Sequence, residues 1–138
     1  MNKIGTFIIL LLFSSEILAQ SISRENASVY FITPEHNQIL SNPVNLSFGV
    51  NGMKLKEAGI NAPYSGHHHL LVDLEELPAL DKPIPSDKQH IHFGKGQKSA
   101  VIDLPPGKHT LQLLFADYLH IPHDKPLISK KITIMVTE

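Results

Sequence analysis

SVYFITPEHNQILSNPVNLSFGV, residues 28–50, places two short apolar runs, Ser28 to Thr33 and Val44 to Val50, on either side of a segment rich in proline and asparagine. Val44, Leu46 and Phe48 alternate with polar or small residues, the two-residue period of a strand with one buried face. Pro34-Glu35-His36-Asn37 supplies turn chemistry, through a fixed φ at proline and tolerance of positive φ at asparagine. The same punctuation continues along the chain. Further runs span His68 to Asp73, His90 to Phe93, Ser99 to Leu104, His109 to Asp117 and Ser129 to Thr137, with Asn51-Gly52 and Pro105-Pro106-Gly107 among the breaks. About seven strands, a break every ten or so residues, predict an all-β chain folded as a single antiparallel β-sandwich. Met53 to Gly59 is read as one helical turn closed by Gly59, and Glu75 to Lys88, interrupted by Pro78, Pro83 and Pro85, as a surface flap.

The first residues concern location. One positive charge in Met1-Asn2-Lys3, an apolar stretch from Ile4 to Phe13 and a small residue at Ala19 describe a secretory signal peptide, residues 1–19, cut after Ala19. Residues 20–138 are then the folded domain, with a periplasmic or secreted address. The apolar stretch falls short of the roughly 20 residues a membrane helix needs, and no membrane span is expected in the mature chain.

The net charge is −1 at pH 7, and loss of Lys3 and Glu16 with the leader leaves it unchanged. With lysines scattered and no basic stripe, no nucleic-acid partner is expected. Cysteine is absent, which excludes thiolate metal sites, disulfide exchange and cysteine nucleophiles. There is no Gly-x-Ser-x-Gly elbow, phosphate loop or His-Glu-x-x-His helix, so no catalytic residue is assigned, no organic cofactor is expected, and the chain is read as non-enzymatic.

Histidine carries the chemical signal. Eight of nine histidines lie between His67 and His123. They form His67-His68-His69, His90-Ile91-His92, the lone His109, and His120-Ile121-Pro122-His123. Neutral imidazole is the commonest protein ligand for transition metals, and the candidate ligands are His67, His68, His69, His90, His92, His120 and His123. Strand parity puts His90 and His92 on one face, opposite Ile91 and Phe93. Burying Leu70 and Val72 leaves His67 and His69 to match that pair, although Leu70, Leu71 and Val72 are all apolar and the choice of buried face stays open. Pro122 argues against a helix, so His120 and His123 are placed in a loop, with Asp117 or Asp124 beside them as ligand or orienting group. His109 is read as structural. Imidazole-rich sites suit a divalent ion, Zn or Cu foremost, whereas Cu(I) favours sulfur that this chain hardly offers.

Four stretches also resemble a known family. They are Gly66-His-His-His-Leu-Leu-Val-Asp73, His90-Ile-His-Phe-Gly-Lys-Gly-Gln97, Leu104-Pro-Pro-Gly-Lys-His-Thr-Leu-Gln-Leu113 and Ala116-Asp-Tyr-Leu-His-Ile-Pro-His123, in that order. The chain resembles, over about Val29 to Val136, the secreted bacterial family catalogued as domain of unknown function 4399. That resemblance implies a small exported immunoglobulin-like domain, often histidine-rich at these positions, with no established activity or ligand. Three functions follow as alternatives: a buffer, carrier or sensor of a divalent transition metal; a cell-envelope module binding protein or glycan, with structural histidines; and a metal-dependent redox or hydrolytic enzyme. The first is the leading expectation.

Overall fold

The computed structural model describes residues 19–138, so the signal-peptide reading falls, but for Ala19, outside the described residues. Ten strands are found there and no helix: β1 Ser28–Thr33, β2 Gln38–Ser41, β3 Val44–Asn51, β4 Lys54–Leu55, β5 Ser65–Val72, β6 His90–His92, β7 Ser99–Ile102, β8 Gly107–Ala116, β9 Pro122–Ile128 and β10 Ile132–Thr137. They build a small sheet, β1-β3-β7, and a larger one, β2-β10-β8-β5-β4, in which β6 also pairs with β5 and β9 with β8. The chain is an all-β sandwich. Its core is Val29, Leu46 and Phe48 from the small sheet packed with Leu70, Leu111, Leu113, Phe115 and Ile134 from the large one.

Where ten strands replace the expected seven, the additions are short or proline-bearing. β2 is four residues long and β4 two. Met53 to Gly59 makes no helical turn, because Lys54 and Leu55 pair instead with Ser65 and Gly66. The expected loop after Asp117 contains β9, and the last strand begins at Ile132 rather than Ser129. β9 tolerates its prolines because it pairs with β8 across an interrupted ladder: Ala116 faces Pro122, Phe115 faces Leu127, and exposed Pro126 falls in the shift between them. Nor is pairing antiparallel throughout. β2–β10 and β4–β5 are parallel. β2 leaves the small sheet's β1 by a turn that carries the chain to the other layer, where it meets a strand almost a hundred residues on rather than a hairpin partner.

β5 is buried at every position, on both faces. Beneath it lies the sandwich core. Over its other face Leu71 packs with Leu114, Ala116 and Ile84, the last brought by the 75–88 flap. Gly66 is required at the head of this strand, since a Cβ there would collide with the Ala116 carbonyl and the Phe115 ring. That close approach locks β5 against β8 where the histidines begin.

Candidate metal centre

His67 and His69 stand two positions apart on β5 and therefore share a face. The antiparallel register sets His92 of β6 opposite His69, which places a third imidazole beside them. The fourth comes from the turn that follows β8. There the Asp117 carboxylate Oδ1 accepts the N–H groups of Leu119 (2.9 Å) and Ile121 (3.0 Å), and the Asp117 N–H donates to the Ile121 carbonyl at 3.0 Å. This cap holds His120 at φ 66°, a left-handed conformation that only a well-supported turn imposes on a side-chain-bearing residue. The flap adds a tie: the Ile84 N–H donates to the His120 carbonyl at 2.9 Å. Gly94 leaves the space that His92 fills, because any Cβ at that position would meet the imidazole.

The four rings form one cluster. Centroid distances are 4.8 Å for His67–His69, 4.9 Å for His67–His92 and 5.1 Å for His67–His120. They are 5.1 Å for His69–His92, 5.8 Å for His69–His120 and 4.7 Å for His92–His120. One ring nitrogen from each of His67, His92 and His120 lies within 4.8 Å of the others. His67 and His69 form the floor, 0% and 1% exposed, while half-buried His120 and exposed His92 form a rim toward solvent.

Among the described residues, both ring nitrogens of His67 and both of His69 have no hydrogen-bond partner. Each buried orphan of this kind costs about 1–3 kcal/mol. Burial is the main reason the His67 imidazole is held down to about 4; the neighbouring His92 and His120 push the same way, and Asp117 offsets them in part. His69 is lowered to about 2, again by burial first and then by His67, His92 and His120. His92 is lowered by burial and by His120. At neutral pH His67, His69 and His92 are therefore neutral, with lone pairs free to ligate rather than to bind protons.

The remaining candidates lie elsewhere. His68 points into the sandwich core, edge-on to Phe48 at 4.8 Å and Phe115 at 5.1 Å, with its value lowered to about 4 by burial. His123 stacks on the same core aromatic, 5.8 Å from Phe115, and its Nε2 meets the Ser65 carbonyl at 3.0 Å. His90 shares the His92 face but lies opposite Leu71, and its Nδ1 is taken by Asp87 at 2.8 Å. His109 has both ring nitrogens engaged, by Asp73 and by the Pro105 carbonyl, each at 2.7 Å. The Asp124 carboxylate is occupied by the N–H groups of Ser23 and Lys125.

Sequence reasoning names Asp117 as a ligand or orienting group, but does not register its turn cap or the supports from Ser21 and Gln20. Besides capping the turn, Asp117 accepts the Ser21 hydroxyl at 2.7 Å, and the Gln20 amide donates to the carbonyls of Leu80 in the flap and Pro122 after the turn. The Asp-x-Leu-x-Ile spacing of the turn was the available signal. Asp117→Ala, which leaves the Leu119 and Ile121 N–H groups without this acceptor, is expected to lower stability by about 2 kcal/mol and metal affinity about tenfold. Asp117→Asn, which keeps the acceptor oxygen, should lose less of both. Urea unfolding and calorimetric titration of the two variants measure this.

Among the described residues no helix is long and apolar enough to cross a membrane. The family model described as domain of unknown function 4399 matches residues 46–137. No curated protein matches the chain, and no solved structure does.

Proposed function

This chain belongs to the family described as domain of unknown function 4399, and we propose that it is an exported, non-enzymatic protein that binds a divalent transition metal, Zn or Cu, as buffer, carrier or sensor. His67, His69, His92 and His120 are the ligands in this reading. The observation that carries it is the clustering of four imidazoles with centroid separations of 4.7 to 5.8 Å, three of which, His67, His92 and His120, bring a nitrogen within 4.8 Å of one another. Unpartnered nitrogens alone do not mark the site, since among the described residues core-facing His68 has two as well; the clustering of the rings around them does, whereas a hydrogen-bonded histidine such as His109 has both nitrogens engaged. Four protein ligands would close the shell of a tetrahedral ion, which favours holding over catalysis, since catalytic zinc keeps a position open. The solvent-facing rim of His92 and His120 gives the ion a way in and out, as buffering or transfer requires.

The test is calorimetric titration of the metal-free protein, purified through a tag without histidine, with Zn(II) and Cu(II). One ion per chain with submicromolar affinity is the expected result. Binding no tighter than scattered surface histidines give would overturn the proposal.

A further inference from the structure

We infer that the ion this site is shaped for is zinc(II), held tetrahedrally by His67, His92 and His120, whose nitrogens converge, with His69 as the fourth imidazole. This deepens the metal reading above and rests on it. With nitrogen at about 2.0–2.1 Å from the ion and the ring centre about 1.2 Å further on, each centroid sits about 3.2 Å from the metal. A tetrahedron then puts all six centroid pairs about 5.2 Å apart. A square plane instead gives about 4.5 Å for neighbouring rings and about 6.4 Å for the two opposite pairs.

The six observed separations decide between these shapes. Four rings can be divided into two opposite pairs in three ways. Taking His67–His69 against His92–His120 gives 4.8 and 4.7 Å. Taking His67–His92 against His69–His120 gives 4.9 and 5.8 Å, and taking His67–His120 against His69–His92 gives 5.1 and 5.1 Å. No division supplies two long diagonals: five of the values lie between 4.7 and 5.1 Å, just under the tetrahedral one, and His69–His120 alone exceeds it at 5.8 Å. The backbone gives a reason: strand alternation and cross-strand register fix three of the rings on a sheet face, and the Asp117 turn sets the fourth.

Ion chemistry follows from shape. Zinc(II) has no geometric preference of its own and accepts a tetrahedron without loss, whereas Cu(II) and Ni(II) favour square-planar or tetragonal nitrogen sites and give up part of their intrinsic advantage here. Cu(I) also accepts a tetrahedron but favours sulfur. Met53 is packed in the sandwich core and Met135 is exposed on β10, so neither methionine of the described residues belongs to the histidine site.

Cobalt(II) is the spectroscopic probe, because a tetrahedral nitrogen site gives visible d–d bands roughly tenfold stronger than a six-coordinate one. The full chain is titrated with Co(II), then challenged with Zn(II) and, separately, with Ni(II). Strong tetrahedral bands, bleached by one equivalent of Zn(II) and not by one of Ni(II), are expected. His69→Ala should weaken the bands severalfold, and His90→Ala, outside the four, should leave them unchanged. Weak six-coordinate bands, or Ni(II) displacing zinc, would overturn the zinc assignment while leaving metal binding intact. Failure of Co(II), Zn(II) and Cu(II) alike to bind would overturn the metal reading itself.

Discussion

Replacing His67 and His69 together with leucine is expected to leave the metal-free protein at least as stable as the parent, and more stable by about 1–3 kcal/mol if the new side chains pack without strain. The two imidazoles are fully buried, and their four nitrogens have no partner among the described residues. Leucine has similar volume and nothing to satisfy, and Leu71, Leu114 and Ala116 on the same side of the sheet already form an apolar surround. The same change removes half of the ligand set, and zinc affinity should fall by more than about a hundredfold. Removing two ligands thus separates function from stability. Urea unfolding with and without zinc reads both effects: the parent gains about 4 kcal/mol at a free zinc concentration a thousandfold above its Kd, and the variant gains almost nothing. Were the histidines a structural network, the double variant would be clearly less stable without metal, and that outcome would sink the metal proposal.

Parity along strands makes part of this arrangement readable in the sequence. The His92 face follows from alternation, because Ile91 and Phe93 define the buried side of its strand. What alternation could not settle was β5, where Leu70, Leu71 and Val72 are all apolar because both faces are covered. The sequence carried no contrast there to read. It also could not separate His90 from His92: the two share a face, but Asp87, three residues before His90, takes that ring. His120 depended on a residue in left-handed conformation, and turns of that kind are set by the side-chain cap of Asp117 rather than by periodicity. His123 was read as part of the same loop, yet β9 begins one residue earlier and its register swings that ring to the core side, against Phe115. Pro122 and Pro126 hid the strand.

Acid should unfold the metal-free protein over a window that follows from the buried imidazoles. His67 and His68 are lowered to about 4, and His69 to about 2, against 6.5 in an unfolded chain. Above about pH 6.5 neither state binds these protons, and their contribution to stability is fully present. As pH falls below 6.5 the unfolded chain takes up protons that the folded one refuses, so stability falls continuously until the folded values are reached. Each group contributes at most about 1.4 kcal/mol per pH unit, and the three together enough to consume the roughly 5–15 kcal/mol of an ordinary domain near pH 4. His109 acts in the opposite sense: burial lowers it, but its bonds to Asp73 and Pro105 win and raise it, so its contribution is present below pH 6.5 and lost on the alkaline side. One such group does not offset three. Zinc should move the acid midpoint down, since bound metal occupies the nitrogens of His67 and His69 and protons must first displace it. The His67→Leu/His69→Leu double variant should retain only the slopes owed to His68 and His92 and show no zinc effect. Urea unfolding from pH 8 to pH 4 measures these slopes, and flat stability of the metal-free parent between pH 6.5 and pH 4.5 would contradict the burial of neutral imidazoles on which the site depends.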